Sequence, residues 1–378
     1  MKKIKLLFPL LVLALGLVFT NCTSDDPIYV AGEDGINGVD GIDGEDGSAL
    51  VCIECHSNTH REAIYASFDL SGHLLGTHTG GNYGSRESCS RCHSNDGYVD
   101  LMERGFVQPG GYYTYGPPEY ELDNNGAVVI EDDPDSPIFG LPIITNESFN
   151  NSAKISCNTC HSSHSSFDFD NDGNDMALRQ GFRPVSLLYD PSIVIDMGLS
   201  NTCVNCHQPR NSYTIPGSVD DYTVTSSRFG PHHGPQSTMV YGILGAEIAG
   251  SVTYPVAGTS QHSQVSCVGC HMGETTDGSD GAHSWWPTDN ACAQCHELSI
   301  ENLVVTDYEA DYAILQSLLF NMGAITSSGS TTSGNTWPAP VAQAIWNYRT
   351  LLEDKSQGVH NPEYTKALLK NSIEALTN

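Results

Sequence analysis

The 378-residue chain is expected to adopt a mainly α-helical fold with extensive irregular loops and little β-sheet. Three observations lead there. Six Cys-x-x-Cys-His pentapeptides are strung along residues 52–296, and stretches rich in glycine, serine and asparagine separate them. Apolar residues at helical spacing gather after residue 306. Glycine, serine and asparagine clusters mark turns and loops, whereas an apolar repeat of three and four residues marks an amphipathic helix.

The pentapeptides begin at Cys52, Cys89, Cys157, Cys203, Cys267 and Cys292; their second cysteines are Cys55, Cys92, Cys160, Cys206, Cys270 and Cys295. His56, His93, His161, His207, His271 and His296 follow directly. Two thiols at this spacing form thioethers to the two vinyl groups of one haem while the next histidine reaches the iron, so each pentapeptide reads as a c-type haem attachment site. Six haem c groups are therefore expected. Zinc sites also use paired cysteines, but they have no need of a histidine after every second one. Of thirteen cysteines, twelve lie in the motifs and only Cys22 is left, so no pair remains for a structural disulfide. At this motif density the macrocycles themselves are expected to form much of the core, and 39% hydrophobic and 8% aromatic residues then suffice.

The N-terminus accounts for Cys22. Lys2, Lys3 and Lys5 form a positive n-region, Leu6 to Phe19 an apolar h-region, and Phe19-Thr20-Asn21-Cys22 resembles a loose bacterial lipobox. Residues 1–21 are thus expected to be a signal peptide and Cys22 the lipidated first residue of the mature chain. The apolar run is short for a membrane span and Pro9 interrupts it. Export agrees with the haem motifs, because haem c is attached outside the cytoplasm. Ser24-Asp25-Asp26 resembles the acidic signal that sends some lipoproteins to the outer face of the outer membrane. Removing residues 1–21 takes away three lysines and no acid, moving the formal charge from -29 to -32. Such a surface disfavours nucleic acid and anionic head groups and favours basic redox proteins or cationic and metal-bearing acceptors.

Residues 22–49 read as an acidic tether. Gly32, Gly35, Gly38, Gly41, Gly44 and Gly47 recur every third residue with no proline among them, too poor in imino acids for a self-standing triple helix. The tether stretches to roughly 90 Å and relaxes to about 30 Å. Calcium bound by its aspartates would stiffen it. Residues 50–300 are expected to form the haem-binding domain and 301–378 a helical extension docked on it.

Within the body, helices are expected after several motifs. A hairpin is expected at Tyr120–Glu131, around Asp123-Asn124-Asn125-Gly126. Asp168, Asp170, Asp172 and Gly173 match the start of a calcium loop, but Arg179 stands where the bidentate glutamate belongs. Thr306-Asp-Tyr-Glu309 has a capping-box pattern before a helix through Tyr312, Leu315, Leu319 and Met322, closed by Gly323. A serine- and threonine-rich linker from Thr326 to Thr336 precedes a helix near Val341–Glu353. Asn361-Pro362 then provides a cap and first-turn proline for a last helix carrying Tyr364, Leu368 and Ile373.

Nine histidines lie outside the motifs: His60, His73, His78, His164, His232, His233, His262, His283 and His360. Six irons with two axial histidines each need six of them. His161 and His164, three apart, lie on one face of a helical turn and cannot reach opposite faces of one porphyrin, so His164 is expected to serve another haem.

Several segments resemble a family of exported, often lipid-anchored bacterial multihaem cytochromes that carry electrons at the cell surface. The resemblance runs through Ser71-Gly72-His73, Cys157-x-x-Cys-His-x-x-His164, Arg228-Phe-Gly-Pro-His232-His233-Gly-Pro-Gln236, Gln261-His262-Ser263, Gly281-Ala-His283 and Gly358-Val-His360-Asn-Pro362. It implies a multihaem cytochrome c fold packed around a chain of haems, with His73, His164, His232, His262, His283 and His360 as distal ligands. His60, His78 and the His232–His233 pair leave that assignment open. The function implied is electron carriage from membrane or periplasmic donors to an external acceptor or partner. A multihaem reductase, which needs one iron with an open site, and a subunit of an extracellular cytochrome filament are the alternatives.

Overall fold

The computed structural model describes residues 57–105, 121–134, 140, 143, 152–162, 176–210, 212–297 and 305–377. Cys22, the glycine-triplet tether, the first motif (Cys52, Cys55, His56), His164, the Asp168–Asp172 cluster and the His60 side chain lie outside the described residues.

Regular structure is mostly helical. Asn58–Phe68 (α1), Gly72–Leu75 (α2), Gly81–Gly84 (α3), Glu87–His93 (α4) and Asn95–Arg104 (α5) lead to the single-turn Cys157–Cys160 (α6). Ser94 joins α4 to α5. Its hydroxyl donates to the Ser90 carbonyl at 3.1 Å and accepts from the Gly97 amide at 3.0 Å, capping α5 as it closes α4. Gly97 lies so close to Ser90 that a Cβ there would come within 2.4 Å of its carbonyl carbon. Asp96 in the first turn and Arg104 in the last suit the helix dipole, and Gly105 ends α5 in the left-handed conformation.

Val185–Ser186 (β1) pairs antiparallel with Val194–Ile195 (β2), over a small core of Val185, Leu187, Ile195, Met197, Val204 and Val240. That core carries Asn201–Val204 (α7) and Gln236–Tyr241 (α8). Gln261–His271 (α9) and Asp289–Cys292 (α10) follow. Helix α9 bends at Ser266, whose φ of 60° is non-helical, just before Cys267.

The largest core belongs to the C-terminal third. Tyr308–Asn321 (α11), Ala339–Asp354 (α12) and Pro362–Thr377 (α13) pack on one another. Leu315, Leu319, Ile345, Trp346, Tyr348, Tyr364 and Leu368 are buried there with Val224, Phe229, Met239 and Ala246 from the middle of the chain. Polar groups tie the two parts together. Trp346 Nε1 donates to the Leu244 carbonyl at 2.9 Å, and the Tyr364 hydroxyl accepts from the Gly245 amide at 2.9 Å. A Cβ at Gly245 would meet Leu368 at 2.5 Å, so the middle segment approaches α13 as only glycine allows.

Local expectations are met unevenly. Helix α13 starts as expected, with Asn361 Oδ1 accepting from the Tyr364 amide at 3.1 Å. The capping box at Thr306–Glu309 does not form: α11 begins at Tyr308, and Asp307 precedes it in the left-handed region with no side-chain cap bond. Tyr308 is buried in the large core, so tertiary packing sets the start of the helix. The Thr326–Thr336 segment is not wholly a linker. Asn335–Trp337 (β4) pairs antiparallel with Tyr222–Val224 (β3), joined by a 2.8 Å Thr223–Thr336 hydroxyl contact, because Trp337 and Val224 pack on the large core. The expected hairpin forms in short form over the described residues: the Leu122–Val128 bridge is flanked by bonds from the Asp123 amide to the Ala127 carbonyl and from the Val129 amide to the Glu121 carbonyl, both 2.8 Å, around a turn in which Asp123 Oδ1 accepts from the Asn125 and Ala127 amides at 2.8 Å. Among the described residues, only the second motif leads directly into a longer helix, α5; the fifth ends one, α9.

Candidate functional site

No disulfide joins the motif cysteines Cys89, Cys92, Cys157, Cys160, Cys203, Cys206, Cys267, Cys270, Cys292 and Cys295. Thiols of different motifs abut. Cys206 Sγ lies 3.8 Å from the Arg91 carbonyl and Cys92 Sγ 3.8 Å from that of Asn205, so the second and fourth motifs stand back to back. The Cys203 thiol donates to Cys267, which lowers Cys267 to about 7, and the Ser200 hydroxyl accepts from the Val268 amide at 3.0 Å, locking the fourth motif to the fifth. Burial pushes the Cys160 thiol up to about 11. Tyr98, 1% exposed, is held protonated by burial and then by the charges of Cys206, Cys160, Cys203 and Cys92, so it sits where motifs two, three and four converge. The Thr288 amide donates to the Cys270 carbonyl at 3.4 Å, bringing the sixth motif against the fifth.

Four motif histidines face a second imidazole. Ring centroids are 6.2 Å apart for His207 and His73, 6.3 Å for His161 and His283, 6.3 Å for His271 and His360, and 6.2 Å for His296 and His262. One metal ion bound by two imidazoles on opposite sides, with bonds of about 2 Å and ring radii of about 1.1 Å, sets centroids about 6 Å apart. The residues present therefore fit a metal macrocycle with two axial histidines. Nδ1 atoms are occupied elsewhere: His161 Nδ1 meets the Met176 carbonyl at 2.8 Å, His271 that of Trp285 at 2.8 Å, and His262 that of Val359 at 2.5 Å. His207 Nδ1 meets Gln236 Oε1 at 3.3 Å. An acceptor at Nδ1 fixes the tautomer that leaves Nε2 as the ligating atom. Burial, with the neighbouring His207, lowers His73 to about 4, and burial also lowers His207 and His271, which keeps these rings neutral as a ligand must be. His360 differs. Burial pulls it down, but the Asp354 carboxylate outweighs that and raises it.

His93 Nδ1 meets the His78 carbonyl at 2.6 Å, so His78 lends its backbone to this site. His232 and His233 stand nearby with centroids 4.5 Å apart. Burial, then Arg210, lowers His232 to about 4, and its left-handed φ of 69° is a conformation a non-glycine residue holds only under constraint. His233 is 65% exposed and its Nδ1 pairs with Glu353 at 2.7 Å. Arg179, twelfth in the calcium-like run, pairs with Glu103 at 2.6 Å and donates to the Asn158 carbonyl at 2.8 Å.

Trp285, which the sequence reading did not single out, joins three of the pairs. Its ring meets His73 edge-on at 4.6 Å and His283 at 5.4 Å, while its carbonyl holds His271. Its position two residues after His283 was the one available signal. Asp354 was missed too, since a lone aspartate at the end of a helix carries no local mark.

No family model matches this chain. It is 25% identical to the C-type polyheme cytochrome OmcB of Geobacter sulfurreducens, in two strains, over 381 residues that cover 82% of this chain and 47% of that protein. The chain thus spans about half the length of the curated relatives it matches. Among solved structures it resembles the outer cell wall cytochrome OcwA with a TM-score of 0.46 and 16% identity, over 83% of this chain and 50% of that one.

Proposed function

We propose that the protein is a hexahaem c-type cytochrome lipoprotein that carries electrons between membrane or periplasmic donors and an extracellular acceptor or partner. The observation that carries this reading is the set of four imidazole pairs at 6.2–6.3 Å, each joining a motif histidine to a distant one, on motifs that abut in series. Similarity to a polyhaem cytochrome supports it. Haem c supplies reversible one-electron chemistry with potentials adjustable across about 0.8 V.

On this reading His207 and His73, His161 and His283, His271 and His360, and His296 and His262 are the pairs that would each hold one haem. His93 would take His232, since the His233 ring is turned to Glu353. The acceptors at Nδ1, backbone carbonyls for His161, His271 and His262, Gln236 for His207 and Asp354 for His360, stop these rings from turning, so that the haem held would keep its ligands while it supplies electron transfer. Lipidation at Cys22 anchors the chain at the outer membrane, most naturally on the cell surface, with residues 22–49 as the tether. A reductase would need an iron with one axial position open, and none of the four pairs offers one.

Two measurements on mature holoprotein test the reading. Intact mass should exceed that of the polypeptide by six haems, and electron paramagnetic resonance of the oxidised protein should contain only low-spin iron. A high-spin iron that binds nitrite would replace carriage with the reductase reading.

A further inference from the structure

The paired imidazoles differ in what holds them. Met176, Trp285 and Val359 present neutral carbonyls to His161, His271 and His262, and Gln236 presents a neutral amide to His207. His360 alone among these meets a carboxylate: its Nδ1 lies 2.6 Å from Asp354 Oδ1. The Asp354 side chain is 2% exposed and, among the described residues, forms no ion pair with lysine or arginine. Its other oxygen accepts the Ser356 hydroxyl. Ser356 Oγ in turn accepts from the amides of Gly358 at 3.2 Å and His360 at 3.3 Å, so the loop after α12 is shaped around this contact. A buried carboxylate with no cationic side chain costs stability unless another positive centre answers it. Among the described residues the His360 imidazole is the group that answers it, and on the haem reading the metal that His360 would hold on its far nitrogen lies beyond that ring.

We infer that Asp354 is a positioning residue that sets the haem held by His271 and His360 to a lower potential than it would have with a neutral acceptor at that place. The inference rests on the haem reading above. A carboxylate at Nδ1 draws the ring proton towards itself, makes the opposite nitrogen a stronger donor and favours the oxidised iron; its negative charge acts in the same direction. This haem then stands apart in potential from neighbours held by neutral acceptors.

The test is a redox titration of purified holoprotein followed by optical and paramagnetic resonance spectra, with the His271 haem identified by the signal that His360→Ala removes. Asp354→Asn keeps an oxygen for His360 and removes the charge. One haem should titrate at a more positive potential, with its reduced-to-oxidised ratio at fixed potential raised at least tenfold, about 59 mV for one electron. The other five should not move, and Asp354→Glu should restore most of the shift. An unchanged potential in an Asp354→Asn protein that keeps six low-spin haems overturns the inference and leaves the haem reading standing. Fewer than six haems, or no low-spin pair in the wild type, would instead strike the reading itself. Should Asp354→Asn lose the ligand, Ser356→Ala decides: freeing the second oxygen strengthens the contact with His360, so the same haem should shift to a more negative potential, and no shift or a positive one overturns the inference.

Discussion

His262 and His271 occupy opposite ends of helix α9 and face different partners, His296 at 6.2 Å and His360 at 6.3 Å. The next peptide over closes the arrangement, because Val359 accepts from His262 while His360 meets His271. Two pairs are thereby registered by one helix and one dipeptide. Replacing one imidazole should open its own site and leave the other seated, since the helix keeps its Ser260 cap. In His262→Ala, about one iron in six should become high-spin, read by paramagnetic resonance. Loss of two low-spin signals would mean that the pairs are not independently held.

Trp285 touches His73 and His283, which belong to different pairs. Trp285→Leu should therefore shift the low-spin g-values of two haems at once and leave that of the His262–His296 pair unmoved. Spectra identical to wild type would reduce Trp285 to filler.

Asn347 is a buried node between α12, α13 and the middle segment. Its side chain accepts from the Ala246 amide at 2.7 Å and donates to the Ala246 carbonyl at 2.9 Å and the Ser372 hydroxyl at 3.0 Å. Asn347→Ala strands the Ala246 amide, while the Ala246 carbonyl keeps the Ile248 amide at 2.9 Å, and should cost about 1–3 kcal/mol. A lower denaturant midpoint and faster proteolysis of residues 305–377 should report it, with haem content unchanged.

Cys22→Ser should release the protein from membranes without lowering its haem content, because the anchor and the attachment motifs use separate cysteines. Retention in the membrane fraction would remove the lipid anchor from the proposal.

With a formal charge of -29, or -32 once residues 1–21 are removed, association with a basic redox partner should be fast at low salt and slow markedly as the screening length falls to about 10 Å near 0.1 M. Stopped-flow reduction by a cationic cytochrome across a salt series reads this directly. A rate indifferent to salt would argue for an apolar docking surface.

What the sequence determined by itself was local in origin. Attachment needs two thiols and an imidazole within five residues, so the motifs and their histidines were legible by spacing alone, and so were the start of α13 and approximately the bounds of α12, whose apolar repeats and terminal signals act within a turn or two. Pairing was not local. His73 faces His207 and His161 faces His283 because loops of irregular backbone bring distant segments together, and no periodicity encodes where such a loop returns. Similar histidine contexts could nominate candidates but not match them to motifs. The same holds for the start of α11, moved by the burial of Tyr308 in the large core, for the β3–β4 pairing hidden in a serine- and threonine-rich run, and for Asp354 and Trp285. Their roles come from what burial places beside them, and burial is settled by the whole chain at once, because a polar or aromatic side chain gains its partner only when the long-range contacts that exclude water are already made.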